Sequence, residues 1–100
     1  MYKLNFAWDD EKEKTNIIKH GIDFDTAIKI FADENRIEKY DSVHSDYEDR
    51  YITVGIVDDM ALILMVVYTM RGNDTITRII SARKATKNER KMYYDHNEEF

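Results

Sequence analysis

The chain has 100 residues, of which 43% are hydrophobic, and its 15 basic and 20 acidic residues give a formal net charge of −5. This length fits one domain, and the hydrophobic content is too high for a disordered chain. The absence of cysteine excludes a disulfide framework and thiolate metal ligands. No apolar segment is long enough to span a membrane, and residues 1–6 lack the apolar core of a signal peptide. We therefore expect a single domain over residues 1–100 and a cytoplasmic location.

Positive charge is concentrated in one segment of this acidic chain. Residues 71–91 contain seven basic and two acidic side chains, a local net charge of +5, whereas residues 1–70 carry −7. A local cationic field on an acidic protein is typical of a site for a polyanion or an acidic partner.

The N-terminal part of the sequence predicts one strand followed by two helices. Apolar and polar residues alternate over Met1–Trp8, which favours a strand. Asp9 or Asp10 can cap a helix that runs to about His20. Asp23 can cap a second helix, whose apolar residues fall on one side. The acidic start of the first helix argues against RNA contact there.

The remaining sequence predicts four strands and a final helix. The predicted strands are Arg36–Tyr40, Arg50–Val57, Ala61–Thr69 and Thr75–Ala82, with a polar loop at Asp41–Asp49 and a tight turn at residues 71–74. Ala61–Thr69 is continuously apolar, which is typical of an interior strand buried on both faces. Thr86 and Glu89 form a capping box for a helix over residues 87–94.

The predicted order is β-α-α-β-β-β-β-α, which indicates an α+β fold. We expect a small antiparallel sheet with the N-terminal helices packed on one face, and a C-terminal helix.

Several motifs, taken in order, resemble one protein family. They are Phe6-x-Trp8-Asp9-x-x-Lys12-x-x-x-Asn16-x-x-Lys19-His20-Gly21-Ile22-x-Phe24-x-x-Ala27, His44-Ser45, Glu48-x-Arg50, Val66-Val67-Tyr68-Thr69-x-Arg71 and Arg78-Ile79-Ile80-Ser81-Ala82-Arg83-Lys84-Ala85. Together these motifs cover nearly the whole chain and are similar to those of the BrnT toxins.

The resemblance implies a RelE-like fold and a ribonuclease toxin of a bacterial type II toxin–antitoxin pair. It also implies a small antitoxin with a ribbon-helix-helix domain, through which the complex would bind operator DNA. The chain departs from the pattern at Met70, where many members have glutamate, and at Tyr68, where histidine is common.

RNA cleavage to a cyclic phosphate needs a base, an acid and cations that stabilise charge on phosphorus, without a metal or other cofactor. The planar guanidinium of arginine matches two phosphate oxygens, so Arg71, Arg78 and Arg83 are candidates for phosphate contact. The alternative is a solvated sheet edge. With a two-residue turn, Arg83 would share a face with Tyr68 and leave Arg71 and Arg78 on the other, whereas a one-residue bulge would change that register.

The acid/base candidates lie mainly in the polar loop. His44 is the leading one, because imidazole can give or take a proton near neutrality, and Glu48, Tyr68 and Lys84 follow it. The alternative for His44 is an exposed loop residue without a role. Further RNA-binding candidates are Arg50, Lys84, Lys87 and Arg90. No spacing of histidine, aspartate and glutamate indicates a metal site.

Two functions follow from these patterns. The first is a metal-independent endoribonuclease toxin that cleaves mRNA and is neutralised by its antitoxin, with no membrane partner. The alternative is a non-catalytic module whose basic strand ends bind an acidic or amphipathic partner segment.

Overall fold

The computed structural model describes residues 2–3 and 5–97, and this part of the chain forms six strands and three α-helices. The elements in chain order are β1 (Tyr2–Lys3), β2 (Phe6–Ala7), α1 (Asp10–His20), α2 (Phe24–Ala27), β3 (Ile37–Tyr40), β4 (Arg50–Val57), β5 (Leu62–Arg71), β6 (Ile76–Lys84) and α3 (Lys87–Asn97). Short 3₁₀ turns follow α2 at Ile28–Ala32 and β4 at Asp58–Met60. Within the predicted strand Met1–Trp8, Met1 and Leu4 lie outside the described residues.

The α+β class is confirmed, and the strands form one sheet in the order β1-β2-β6-β5-β4-β3. The continuously apolar segment forms β5, which lies between β4 and β6 as predicted. The predicted burial on both faces is incomplete, because Met65 and Val67 on one face stay partly exposed. The sheet is mixed rather than wholly antiparallel, because β2 pairs in parallel with β6, Phe6 opposite Thr77 and Ala7 opposite Arg78. This pairing joins residues about 70 positions apart, and such long-range partners are not encoded in local periodicity.

Helix α1 begins and ends at the residues that its capping pattern indicates. The Asp9 carboxylate accepts hydrogen bonds from the N–H groups of Glu11 at 2.8 Å and Lys12 at 3.0 Å. Gly21 ends the helix with φ of 71°, a left-handed conformation that glycine adopts without steric cost.

Asn16 holds α1 against the edge of β6 beyond the end of β2. Its side-chain amide donates to the Ala82 carbonyl at 2.8 Å and accepts from the Ala82 N–H at 3.0 Å. The buried amide therefore pairs with the strand edge as a neighbouring strand would, and α1 is fixed alongside β6.

Helices pack on both faces of the sheet. The face that we call the helix face carries Leu64, Val66 and Tyr68, which form the larger core with residues of α2 and the adjoining 3₁₀ turn. Residues at alternate positions of β5 point to the opposite face, where Ile63 and Met65 lie in a smaller core with Tyr93 of α3.

A close backbone approach on the helix face depends on Gly55 of β4. A Cβ atom at this position would lie 3.1 Å from Ile30 Cβ and 3.2 Å from Arg36 Cβ. The absence of a side chain therefore allows the 3₁₀ turn to lie directly on the sheet.

Candidate active site

Two arginines flank one buried threonine in a row across three strands. Thr69 of β5 lies opposite Arg50 of β4 on one side and opposite Arg78 of β6 on the other. Since neighbouring strands lie about 4.8 Å apart, the two arginine Cα atoms are roughly 10 Å apart. Thr69 is only 2% exposed and donates its hydroxyl to the Asp49 carbonyl at 2.6 Å. The central residue of the row is therefore held in place by burial and by a hydrogen bond to the loop before β4.

The other two candidate arginines lie on the same face as this row. Arg71 is two residues beyond Thr69 on β5, and Arg83 lies opposite Met65. We call this surface, opposite the helix face and carrying Arg50, Arg71, Arg78 and Arg83, the arginine face.

A β-bulge in β6 brings Arg83 to the arginine face. Val67 pairs with Ser81 and Tyr68 with Ile79, so Ile80 is an extra residue in β6. The connection itself is the four-residue segment 72–75 rather than a two-residue turn. Of the two registers that the sequence left open, the structure has the one with a one-residue bulge, so Arg83 does not share the face of Tyr68.

Two of the four arginines form ion pairs with carboxylates. Arg71 Nη2 lies 2.8 Å from Glu48 Oε2, and Arg83 makes a two-pronged pair with Glu89 at 2.7 and 2.9 Å. Among the described residues, neither Arg50 nor Arg78 takes part in a side-chain ion pair within 4.0 Å. These two guanidinium groups are therefore the ones with donors open to an anion.

Arg78 also contributes to the electrostatics at the start of α1. The pKa of the Asp9 carboxyl is lowered mainly by the hydrogen bond from the Lys12 N–H, and the positive charge of Arg78 lowers it further. Arg78 therefore lies close enough to the start of α1 to interact with the carboxylate that caps this helix.

Arg83 connects β6 to α3. Its partner Glu89 also completes the predicted capping box, accepting from the Thr86 N–H at 2.8 Å while the Thr86 hydroxyl accepts from the Glu89 N–H. The hydrogen bond from Arg83 lowers the pKa of Glu89 against the opposing effect of burial. Arg83 therefore already has a structural partner, unlike Arg50 and Arg78.

Replacing Glu89 with glutamine is expected to lower the free energy of unfolding by about 1–3 kcal/mol at neutral pH, because a charge-assisted pair is lost. Since the folded-state pKa of Glu89 is depressed, this stabilisation is full above the ordinary glutamate pKa of about 4.3 and is lost as pH falls through the folded-state value. Urea unfolding across acid and neutral pH measures it.

The matched control for Glu89→Gln is Asp95→Asn, which breaks the exposed Lys91–Asp95 pair of the same helix. Exposed pairs contribute about 0–1 kcal/mol, so this variant should unfold almost like the parent. A Glu89→Gln variant that is as stable as the parent at neutral pH would show that the Arg83–Glu89 pair does not hold α3.

The polar loop forms a cleft next to the arginine row. His44, Asp46, Tyr47, Glu48 and Arg50 line it, its volume is about 320 Å³, and we call it the loop cleft. The structure thus brings the two leading acid/base candidates together with one arginine of the row.

His44 is oriented by the buried residue Asp41. Its Nδ1 atom lies 3.0 Å from Asp41 Oδ2, and its side chain is 66% exposed. Burial acts to raise the pKa of Asp41, but hydrogen bonds from the His44 ring and from backbone N–H groups outweigh it and lower that pKa. The contact with Asp41 fixes the orientation of the His44 ring and leaves its second nitrogen to face solvent or a ligand.

Tyr47 belongs to this site although the sequence analysis did not single it out. Its side chain is fully exposed, at 103%, beside Arg50 and Glu48. An aromatic residue within a polar loop that precedes a cation is the signal that could have identified it, because exposed rings next to cations stack on unpaired bases.

Tyr68 and Met70 lie on the helix face, away from the four arginines of the arginine face. Tyr68 packs against Phe31 and Tyr51, and its burial and its interaction with Glu38 raise its pKa to about 12. Met70 packs against the same core and accepts a hydrogen bond from the Thr77 hydroxyl. The difference from glutamate at Met70 therefore removes no group from the arginine face.

The remaining basic candidates lie toward the end of β6 and the start of α3. Lys84 lies opposite Leu64 in the sheet, so its side chain is on the helix face, where it is exposed. Lys87 is exposed in the first turn of α3. Arg90 donates from Nη1 to the Ala85 carbonyl at 2.8 Å. None of the three joins the row of Arg50 and Arg78.

The described residues contain no group of three or more histidine, cysteine, aspartate or glutamate side chains that could hold a metal ion. In the same part of the chain, no helix is long and apolar enough to cross a membrane.

A small α+β domain with a row of arginines beside a histidine and a carboxylate has the surface of an RNA-binding or RNA-cleaving protein. The family model described as ribonuclease toxin, BrnT, of type II toxin-antitoxin system matches residues 8–89. The chain therefore belongs to the BrnT family of ribonuclease toxins, as its motifs indicated. A comparison with curated proteins finds no match.

Proposed function

We propose that this chain is a metal-independent endoribonuclease that cleaves mRNA on the arginine face. The observation that supports this most directly is the row formed by Arg50, Thr69 and Arg78. Its two arginines have no ion-pair partner within the part of the chain that the structure describes, and they lie beside the loop that carries His44 and Glu48.

In the proposed reaction, Arg50 and Arg78 bind the non-bridging oxygens of the scissile phosphate. The planar guanidinium donates two parallel hydrogen bonds to an oxyanion, and its charge stabilises the extra negative charge of the transition state. Arg71, held by Glu48, and Arg83, held by Glu89, contribute to the positive potential of the face.

Proton transfer is assigned to the loop cleft. Glu48, whose Oε2 atom lies 2.8 Å from Arg71 Nη2, is the proposed base for the 2′-hydroxyl. His44, whose ring is oriented by the contact of Nδ1 with Asp41, is the proposed acid for the leaving 5′-oxygen. Since arginines supply the cations, the mechanism needs no metal. Tyr68 is left out of the proposed site because it is buried on the opposite face.

The proposed biological setting follows from the toxin family. The chain would act in the cytoplasm as one RelE-like domain and be neutralised by a ribbon-helix-helix antitoxin. Operator DNA would contact it only through the complex with that antitoxin.

The direct test is cleavage of a single-stranded RNA by the purified chain in the presence of EDTA. We expect the cleavage products to end in a 2′,3′-cyclic phosphate. In cells, we expect growth arrest when the chain is expressed alone. The cognate antitoxin should prevent both the cleavage and the growth arrest. A His44→Ala/Glu48→Gln double variant should cleave no RNA while remaining folded. Cleavage that stops in EDTA and returns with a divalent cation would contradict the metal-independent mechanism.

A second candidate function is binding without turnover. Glu48 and Glu89 show that the arginine face accepts carboxylates, so an acidic segment of the antitoxin could occupy it as well. A folded chain that binds antitoxin but neither cleaves RNA nor arrests growth would favour this function.

A further inference from the structure

A second cationic cleft borders the arginine face, between α1 and β6. Its volume is about 420 Å³, and we call it the lysine cleft. Its walls include Lys12, Thr15 and Lys19 of α1, Arg50 of β4 and Ser81 of β6.

The side chains of the lysine cleft have the chemistry of a phosphodiester site. Lys12, Lys19 and Arg50 carry positive charge, and hydroxyl groups of the kind found on Thr15 and Ser81 donate to phosphate oxygens. The carboxylate of the described lining is Glu11, whose Oε1 lies 3.4 Å from Lys14 Nζ. Positive charge therefore dominates the cleft.

The acidic first turn of α1 argued against RNA contact on that face, but two lysines of the same helix also line the cleft. Lys12, Thr15 and Lys19 recur at helical spacing and share the side toward β6. The Glu13 carboxylate instead accepts a hydrogen bond from the Phe24 N–H at 2.8 Å. This carboxylate is therefore bound to the start of α2 and does not line the cleft.

We propose that the lysine cleft binds the sugar–phosphate backbone of the RNA strand that flanks the scissile phosphate. The proposal rests on the proposed function, because Arg50 lines both the loop cleft and the lysine cleft and so joins them. A strand bound at Arg50 is therefore in contact with both clefts.

The lining favours RNA over an apolar partner segment. Ile17 and Ile18 are the exposed apolar residues of α1, with Ile18 86% exposed, and neither lines the cleft. Ile80 supplies the apolar contact there. An amphipathic helix would need a row of such anchors, whereas a phosphodiester chain needs the cations and hydroxyls that are present.

The test compares RNA binding by the parent and by the double variant Lys12→Gln/Lys19→Gln. The probe is a fluorescent single-stranded 2′-O-methyl RNA of about 12 nucleotides, which covers a typical single-strand site and cannot be cleaved because its 2′-oxygens are blocked. Loss of two phosphate contacts should weaken binding roughly tenfold and reduce the slope of log K against log salt by about 1.4. On cleavable RNA, KM should rise by a similar factor while kcat stays near that of the parent.

The matched control is Lys29→Gln/Lys91→Gln, which makes the same change in net charge. These lysines pair with Asp59 and Asp95 and line neither the loop cleft nor the lysine cleft, so this variant should bind like the parent.

Parent-like affinity and salt slope in Lys12→Gln/Lys19→Gln, or an equal loss in the control, would overturn the proposal. Loss of antitoxin binding with RNA binding unchanged would assign the cleft to an acidic protein segment instead. Because the probe reports binding without turnover, a parent that binds it but cleaves no RNA would refute the nuclease mechanism separately.

Discussion

Replacing Arg78 with alanine is expected to lower kcat for RNA cleavage about 100- to 1,000-fold, the loss seen when one preorganised transition-state donor is removed. Arg50→Ala should have an effect of the same size, because the two side chains flank Thr69 and neither has an ion-pair partner among the described residues. Single-turnover cleavage of a labelled RNA measures the loss, and urea unfolding should show nearly unchanged stability.

Lysine and phenylalanine substitutions provide the controls for these arginine variants. Arg78→Lys should recover only part of the activity, since an ammonium group cannot reproduce the two-pronged contact of a guanidinium. Tyr68→Phe should cleave RNA like the parent, because Tyr68 lies on the helix face. If Arg50→Ala and Arg78→Ala both cleave at the parent rate, the arginine row is not the active site.

Replacing Val66 with aspartate is expected to unfold the domain. Val66 is 0% exposed in the larger core, so a carboxyl group there has no hydrogen-bonding partner or water. We expect a loss of roughly 4–5 kcal/mol or more, a large fraction of the 5–15 kcal/mol that stabilises a typical domain. Circular dichroism and thermal unfolding would detect the change.

The neighbouring variant Val67→Asp separates the two faces of β5. Val67 is half-buried on the arginine face between Ile52 and Ser81, so a carboxylate there remains partly hydrated and costs less stability. It should nevertheless weaken RNA binding, because it adds negative charge next to the arginine row. Equal destabilisation by Val66→Asp and Val67→Asp would contradict the assignment of Val66 to the larger core and of Val67 to a half-buried position on the arginine face.

Much of the local structure follows directly from short sequence patterns. Asp9 and Gly21 bound α1 as predicted, and Thr86 with Glu89 begins α3, because capping satisfies backbone groups within a few residues of the cap. The continuous apolar run that forms β5 likewise indicated an interior strand.

The sequence predicted only some of the residues that line the candidate site. The basic segment and the polar loop were recognised from residue types, so Arg50, Arg78, His44 and Glu48 were all named as candidates. Patterns within a few residues could not show that Glu89 already occupies Arg83, or that Lys12 and Lys19 of an acidic helix line a cationic cleft. The first relation depends on how α3 folds back onto the end of β6, and the second depends on the packing of α1 against β6.

The extra residue Ile80 decided which side chains share a face. Side chains alternate along a strand, so one inserted residue moves Arg83 from the face of Tyr68 to the arginine face. The parallel pairing of β2 with β6 and the packing of α3 opposite α2 are set in the same way by contacts between distant residues. The sequence thus identified which residue types form the candidate site. Their arrangement was decided by strand register and long-range packing, because no local pattern encodes either of these.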